Sequence, residues 1–102
     1  MCGIFAYLGE PQKKSFFLTD FNNLSGRGPD SQKLDIIKSN DKELIMLGFH
    51  RLAINDLSQL GEQPMKQDKN YLICNGEIFN YQQLRANNNF SYQSESDCEI
   101  IL

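Results

Sequence analysis

Two hydrophobic periods alternate along the chain. Residues 3–8 form a short apolar run bounded by glycine, which predicts a buried strand at the very start. Phe17, Phe21 and Leu24 follow at i, i+4 and i+7, one face of a helix over about residues 14–24. Gly26-Arg27-Gly28-Pro29-Asp30 has the composition of a turn. Residues 32–38 and 43–49 predict two strands joined into a hairpin by the polar Ser39-Asn40-Asp41-Lys42, with 51–54 continuing the second strand. Residues 55–64 read as a loop, 71–74 as a strand, Asn75-Gly76 as a turn and 78–88 as a helix. Ser96-Asp97-Cys98-Glu99 fits a capping box ahead of the apolar Ile100-Ile101-Leu102, so a helix is expected to begin there. The sequence stops about one turn later, too soon to offset the cost of helix nucleation, which suggests an interrupted domain.

Composition narrows the class. The chain has 102 residues, one domain at most, with 40% hydrophobic and 23% charged residues, which is globular rather than disordered. Net charge is −3 and Lys13-Lys14 is the sole adjacent basic pair, so no nucleic-acid partner is expected. No apolar run approaches the roughly 20 residues needed to span a bilayer, and no signal-peptide pattern opens the chain. The expectation is a cytoplasmic protein with no membrane partner. Cys2, Cys74 and Cys98 are odd in number and form no CxxC pair, so neither a disulfide framework nor a zinc site is supported. His50 is the only histidine and reads best as a structural one.

Candidate chemistry lies elsewhere. A small residue after the initiator Met permits removal of Met1, which would leave Cys2 with a thiol and a free α-amine on one carbon. The amine, with an ordinary pKa of about 7.7–8.0, can act as the base for the thiol. Arg51, at a strand end, can hold a carboxylate bidentately. The Asn75 amide and the Gly76 N–H can supply two donors to a developing oxyanion. Asp97 can pair with an ammonium group, and Glu77 sits beside the donor pair. Each has a bland alternative: a buried strand cysteine, a surface arginine, a hairpin turn, a helix-first-turn acid. Taken together they describe a site for an α-amino acid whose side-chain carbonyl is attacked by a thiol.

The motifs resemble those of class II glutamine amidotransferases, the N-terminal-nucleophile type, and within them the glutamine-hydrolysing asparagine synthetases. The segments are Met1-Cys2-Gly3-Ile4-Phe5, Arg27-Gly28-Pro29-Asp30, His50-Arg51-Leu52-Ala53-Ile54-Asn55-Asp56, Gln63-Pro64-Met65, Asn75-Gly76-Glu77-Ile78-Phe79-Asn80 and residues 96–102. The resemblance implies an α+β fold, the first half of a four-layer αββα sandwich of antiparallel sheets. It implies L-glutamine as substrate. Cys2 is then the nucleophile, and its α-amine is the proton carrier. Asn75 and Gly76 form the oxyanion hole, Arg51 binds the α-carboxylate, and Glu77 and Asp97 lie at the α-ammonium. Ammonia would pass to asparagine synthesis in a domain absent from residues 1–102.

Three departures stand out. Gly26 sits where the family usually has His, Asn55 replaces an apolar residue beside the pocket, and the length is about half that of the family's glutaminase domain. No Ser-Gly-Gly-x-Asp-type ATP loop is found, so ATP and magnesium are expected to belong to the synthetase domain and not to this chain. The chain alone is therefore expected to be inactive, to need a complementing polypeptide, or to self-associate through uncovered sheet surface. The alternative is an inactive truncated paralogue that binds glutamine or a partner subunit.

Overall fold

The computed structural model describes residues 1–11, 14–54 and 56–102. Its elements are two antiparallel sheets and two short helices, an α+β arrangement. The first sheet contains β1 (Gly3–Gly9), β2 (Ser31–Ser39) and β3 (Leu44–Arg51) in the order β1-β3-β2. β3 lies in the middle, and most of its residues are buried, including Leu44, Met46, Phe49, His50 and Arg51. The predicted hairpin between β2 and β3 is present. Asn40 closes it, its Oδ1 accepting from the Lys42 and Glu43 amides at 2.9 and 2.8 Å. Of the predicted extension over 51–54, only Arg51 joins the strand.

Phe17 and Phe21 of the predicted stripe face the sheet, but the helix ends at Asn22, two residues short of the expected end, and Leu24 lies in the turn beyond it. α1 (Lys14–Asn22) lays Phe17 on Tyr7, with ring centroids 3.6 Å apart, and Phe21 edge-on against Phe5 at 5.9 Å. Phe21 can lie this close because Gly48 lies beneath it; a Cβ there would stand 2.6 Å from the ring. His50 is part of this core. Its ring is 4.3 Å from that of Phe21, and its Nε2 is 2.8 Å from the Phe21 carbonyl. It serves packing, as the sequence suggested. The opposite face of the sheet is less covered: Ile4 and Leu8 of β1 point there and are 43% and 68% exposed.

A tight crossing joins α1 to this sheet. Residues Ser25–Arg27 make a 3-10 turn, and Gly28 then passes directly over the end of β3. A Cβ on Gly28 would stand 2.1 Å from the His50 carbonyl oxygen, which is backbone and cannot yield. Gly28→Ala is therefore expected to cost about 3 kcal/mol of stability. Denaturant unfolding checks this; a loss below about 0.5 kcal/mol would mean the two segments separate freely.

The second half of the chain is less regular. β4 (Met65–Gln67) and β5 (Asn70–Leu72) pair around a turn at Asp68, which takes a left-handed φ of 53°. β4 has no counterpart in the sequence prediction, and β5 ends two residues before the predicted strand does. The reason is a side chain. Gln63 Oε1 accepts from the Cys74 N–H at 2.5 Å, and its Nε2 donates to the Cys74 carbonyl at 3.2 Å. Cys74 thus satisfies its backbone without a strand partner. Asn75-Gly76 accordingly makes no hairpin, and the chain runs on to α2 (Tyr81–Ala86), shorter than the predicted helix.

Residues Asp97–Ile101 form a 3-10 turn in place of the expected α-helix start. Ser96 makes no side-chain cap. The Glu99 carboxylate instead turns back to Gln93 and Ser94, accepting from their amides at 2.6 and 2.8 Å and from the Ser94 hydroxyl at 2.5 Å. Arg85 on α2 donates to the Ser94 and Ser96 carbonyls at 2.9 and 2.7 Å, so the capping groups have other partners. Among the described residues, no helix is long and apolar enough to cross a membrane.

Candidate active site

Strand register builds one wall of the site. β1 pairs with β3 so that Gly3 faces His50, and this sets Cys2 beside the β3 end at Arg51 and Leu52. The Cys2 sulfur accepts from the Leu52 N–H at 3.3 Å and lies 3.6 Å from the Leu52 carbonyl. Arg27 Nε donates to the Cys2 carbonyl at 3.1 Å. Asp30 finishes the clamp: its N–H reaches the Arg51 carbonyl at 3.0 Å, and its carboxylate accepts from the Ala53 amide at 2.8 Å. In Arg27-Gly28-Pro29-Asp30, then, both charged residues and the glycine fix the backbone around Cys2 and Arg51.

The loop after β3 makes the floor. Arg51 is 8% exposed and donates to the Ser58 carbonyl at 2.6 Å and to the Asp56 carbonyl. A guanidinium has five N–H donors, so these two carbonyls leave donors over for a ligand carboxylate. The Asp56 carboxylate accepts from the Ser58 amide at 2.7 Å and from the Glu95 amide at 2.9 Å. This second bond carries the loop across to residues 94–98, which close the far wall. Asp97 is 4% exposed and accepts from the Ile78 amide at 2.6 Å.

These walls line an open-sided cavity of about 240 Å³. All six residues singled out from sequence line it: Cys2, Arg51, Asn75, Gly76, Glu77 and Asp97. Asn75 is half-buried, and Gly76 and Glu77 are exposed at the edge. A thiol, a guanidinium, an amide and two carboxylates thus share a volume suited to a small zwitterion. Asn55, the other noted departure, lies outside the described residues. Among the described residues, no three His, Cys, Asp or Glu side chains group as metal ligands would.

The whole chain, residues 1–102, matches the family model described as a glutamine amidotransferase domain. The chain belongs to that family. It is 44% identical over its full length to a probable glutamine-hydrolysing asparagine synthetase of Acanthamoeba polyphaga mimivirus. Against the glutamine-hydrolysing asparagine synthetases of Bos taurus and Homo sapiens it is 36% and 35% identical, again over all of the chain. It spans only 18–19% of the length of these curated relatives, at their N-terminal end.

Within this amidotransferase domain, sequence reasoning missed the residues that act through backbone. Asp56 and Gln63 line the cavity yet work by holding loops, and Arg27 works by holding Cys2. Asp56 was visible only as part of a quoted motif. Its carboxyl is held below the usual carboxylate range, first by its hydrogen bonds to Ser58 and then by those to Glu95 and the charge of Arg51, against the opposing effect of burial. A depressed folded-state value stabilises the fold above the unfolded value of about 3.9, and that contribution is lost as pH falls through the folded value. Asp56→Asn should therefore be less stable than the parent at pH 7 and lose the difference below about pH 4. Thermal unfolding across that range checks it; a constant gap at all pH values would contradict the assignment.

Gly26 gives a simple answer to the family departure. A Cβ at this position meets nothing within 4 Å. Gly26→His should fold with a stability change within about 0.5 kcal/mol. Unfolding at neutral pH checks this, and a larger loss would mean that the position is closed to side chains.

Proposed function

We propose that the chain supplies the glutamine-hydrolysing site of an asparagine synthetase-like enzyme, with Cys2 as nucleophile. The observation that carries this is the meeting of all six residues in one cavity from segments as far apart as residues 2, 51, 75 and 97. Removal of Met1, which is exposed, gives Cys2 a free α-amine. That amine takes the thiol proton as the sulfur attacks the amide carbon of glutamine. Negative charge develops on the amide oxygen, toward which the Asn75 amide and the Gly76 N–H are assigned as donors. The proton passes to the leaving ammonia, a thioester forms, and water releases glutamate. Arg51 takes the α-carboxylate, while Asp97 and Glu77 take the α-ammonium.

The layering proposed is that of an N-terminal-nucleophile hydrolase, with residues 1–102 as its first part. The uncovered apolar face at Ile4 and Leu8 supports this, because a further layer would bury it. A complementing polypeptide, or a second copy of the chain, would occupy the same face. ATP and magnesium are assigned to the synthetase part of the enzyme, outside residues 1–102. Three free cysteines suit a reducing, cytoplasmic setting.

The test uses a glutamine analogue carrying a diazoketone in place of the amide, applied after Met1 removal to any form of the protein that releases glutamate. One adduct on Cys2, suppressed by glutamine but not by glutamate's amine-free analogue, is expected. Labelling that glutamine does not suppress would overturn the assignment.

A further inference from the structure

Gln63 is buried in the cavity wall, on the loop that follows β3. A buried primary amide is costly unless its polar ends are hydrogen-bonded. Here both ends go to a single residue. Oε1 accepts from the Cys74 N–H at 2.5 Å, and Nε2 donates to the Cys74 carbonyl at 3.2 Å. Two facing residues of an antiparallel sheet exchange the same pair of bonds. The side chain thus stands in for a strand partner, and it fixes the orientation of Cys74 as well as its position.

The next two residues are Asn75 and Gly76. β5 ends at Leu72, and among the described residues no backbone–backbone hydrogen bond outside the strands holds residues 73–77. Side chains hold this segment from both sides. Gln63 holds it at Cys74. Beyond the donors, Asp97 accepts from the Ile78 amide at 2.6 Å, and the Cys98 sulfur donates toward the Gly76 carbonyl at 3.7 Å. Asp97 is also assigned to the ligand's α-ammonium, whereas Gln63 has no assigned ligand contact.

The loop that carries Gln63 also packs on Arg51. Gly61, two residues earlier, lies so close that a Cβ there would stand 2.7 Å from the Arg51 Nη2. One short stretch therefore touches the guanidinium at Gly61 and the donor segment at Gln63. It sets the span between the two ends of the cavity.

We propose that Gln63 is a positioning residue for glutamine hydrolysis, holding Asn75 and Gly76 where negative charge develops on the amide oxygen. The clamp stands on its own hydrogen bonds; its effect on the reaction rests on the function proposed above. Donors to an oxyanion act only within hydrogen-bond reach of the transition-state oxygen. A small displacement is therefore felt in the rate and hardly in substrate binding.

The experiment compares the parent with Gln63→Met, which keeps the side-chain length and loses both bonds, and with Gln63→Glu, which keeps the acceptor and loses the donor. Amide hydrogen exchange of the 102-residue chain, resolved by NMR, reads the clamp by itself. The Cys74 amide should exchange about tenfold faster or more in Gln63→Met, with the β1 and β3 amides unchanged. In any form of the protein that releases glutamate, Gln63→Met should lower kcat about 100-fold and leave KM for glutamine within about threefold. Gln63→Glu should lose about tenfold in kcat, again without a change in KM, and it carries the comparison if β1 and β3 lose protection in Gln63→Met. Unchanged exchange at Cys74 overturns the clamp. Faster exchange with kcat unaltered, or with KM raised as much as kcat falls, overturns the positioning role. Glutamate release that survives Cys2→Ala, or that no form of the protein shows, removes the proposed function instead, and exchange at Cys74 then decides the clamp alone.

Discussion

Cys2→Ala is expected to remove glutamine hydrolysis almost completely while leaving glutamine binding in place. In any form of the protein that releases glutamate, the rate should fall by about 10⁴-fold or more, because the covalent route is lost and only water attack remains. The adduct with the diazoketone analogue should vanish. Affinity for glutamine should stay within about threefold, since the sulfur's contacts are with the Leu52 backbone and the charged contacts are assigned to Arg51, Glu77 and Asp97. Stability should move by less than about 1 kcal/mol, as Cys2 is only half-buried. A companion form in which Met1 is retained should lose activity as well, because its Cys2 nitrogen is an amide and accepts no proton. Substantial glutamate release by the Ala variant would show that another group is the nucleophile.

Arg51→Ala should have the next largest effect, and on two quantities together. The guanidinium is buried and holds the Asp56 and Ser58 carbonyls. Its loss leaves those acceptors facing a void and takes a cation from beside the Asp56 carboxylate. A stability loss of about 3 kcal/mol is expected. Glutamine affinity should fall by about 100-fold or more, from loss of the carboxylate partner. Arg51→Lys restores charge but not the two-pronged geometry, and should recover only part of each. Collapse of the loop could by itself weaken binding, so a ligand control is needed. 4-Aminobutanamide lacks the α-carboxylate of glutamine, and its affinity should differ little between parent and Arg51→Ala. Equal losses for both ligands would place Arg51 in the scaffold only.

Much of this site was legible because its chemistry sits in short segments. Asn75-Gly76-Glu77 carries two donors and an acid in three residues. His50-Arg51-Leu52 carries the cation at a strand end. The six residues named from such segments all reach the cavity. The supporting contacts were not legible. Arg27 holds a carbonyl 25 positions away, Gln63 holds Cys74 across 11, and Asp56 reaches Glu95 across 39. Bonds from a side chain to remote backbone leave no periodic mark in sequence, because any residue type can present the N–H or C=O.

The same distinction explains the secondary structure. The Phe17 and Phe21 stripe and the polar turn at Asn40 determine α1 and the β2–β3 hairpin locally, since helix face and turn chemistry are properties of neighbouring residues. The capping box at Ser96 was equally plain in sequence and did not form. Glu99 and Ser96 were drawn instead into the cluster with Arg85 and Ser94, whose half-buried charge and carbonyls demand partners. By itself, then, the sequence determined the strands of the first sheet, the hairpin joining two of them, the covering helix and the identity of the reactive groups. Only the tertiary structure decided that β1 runs beside β3 with Cys2 at Arg51 and that the 73–78 segment stays out of a sheet, because each depends on which distant backbone satisfies a polar group.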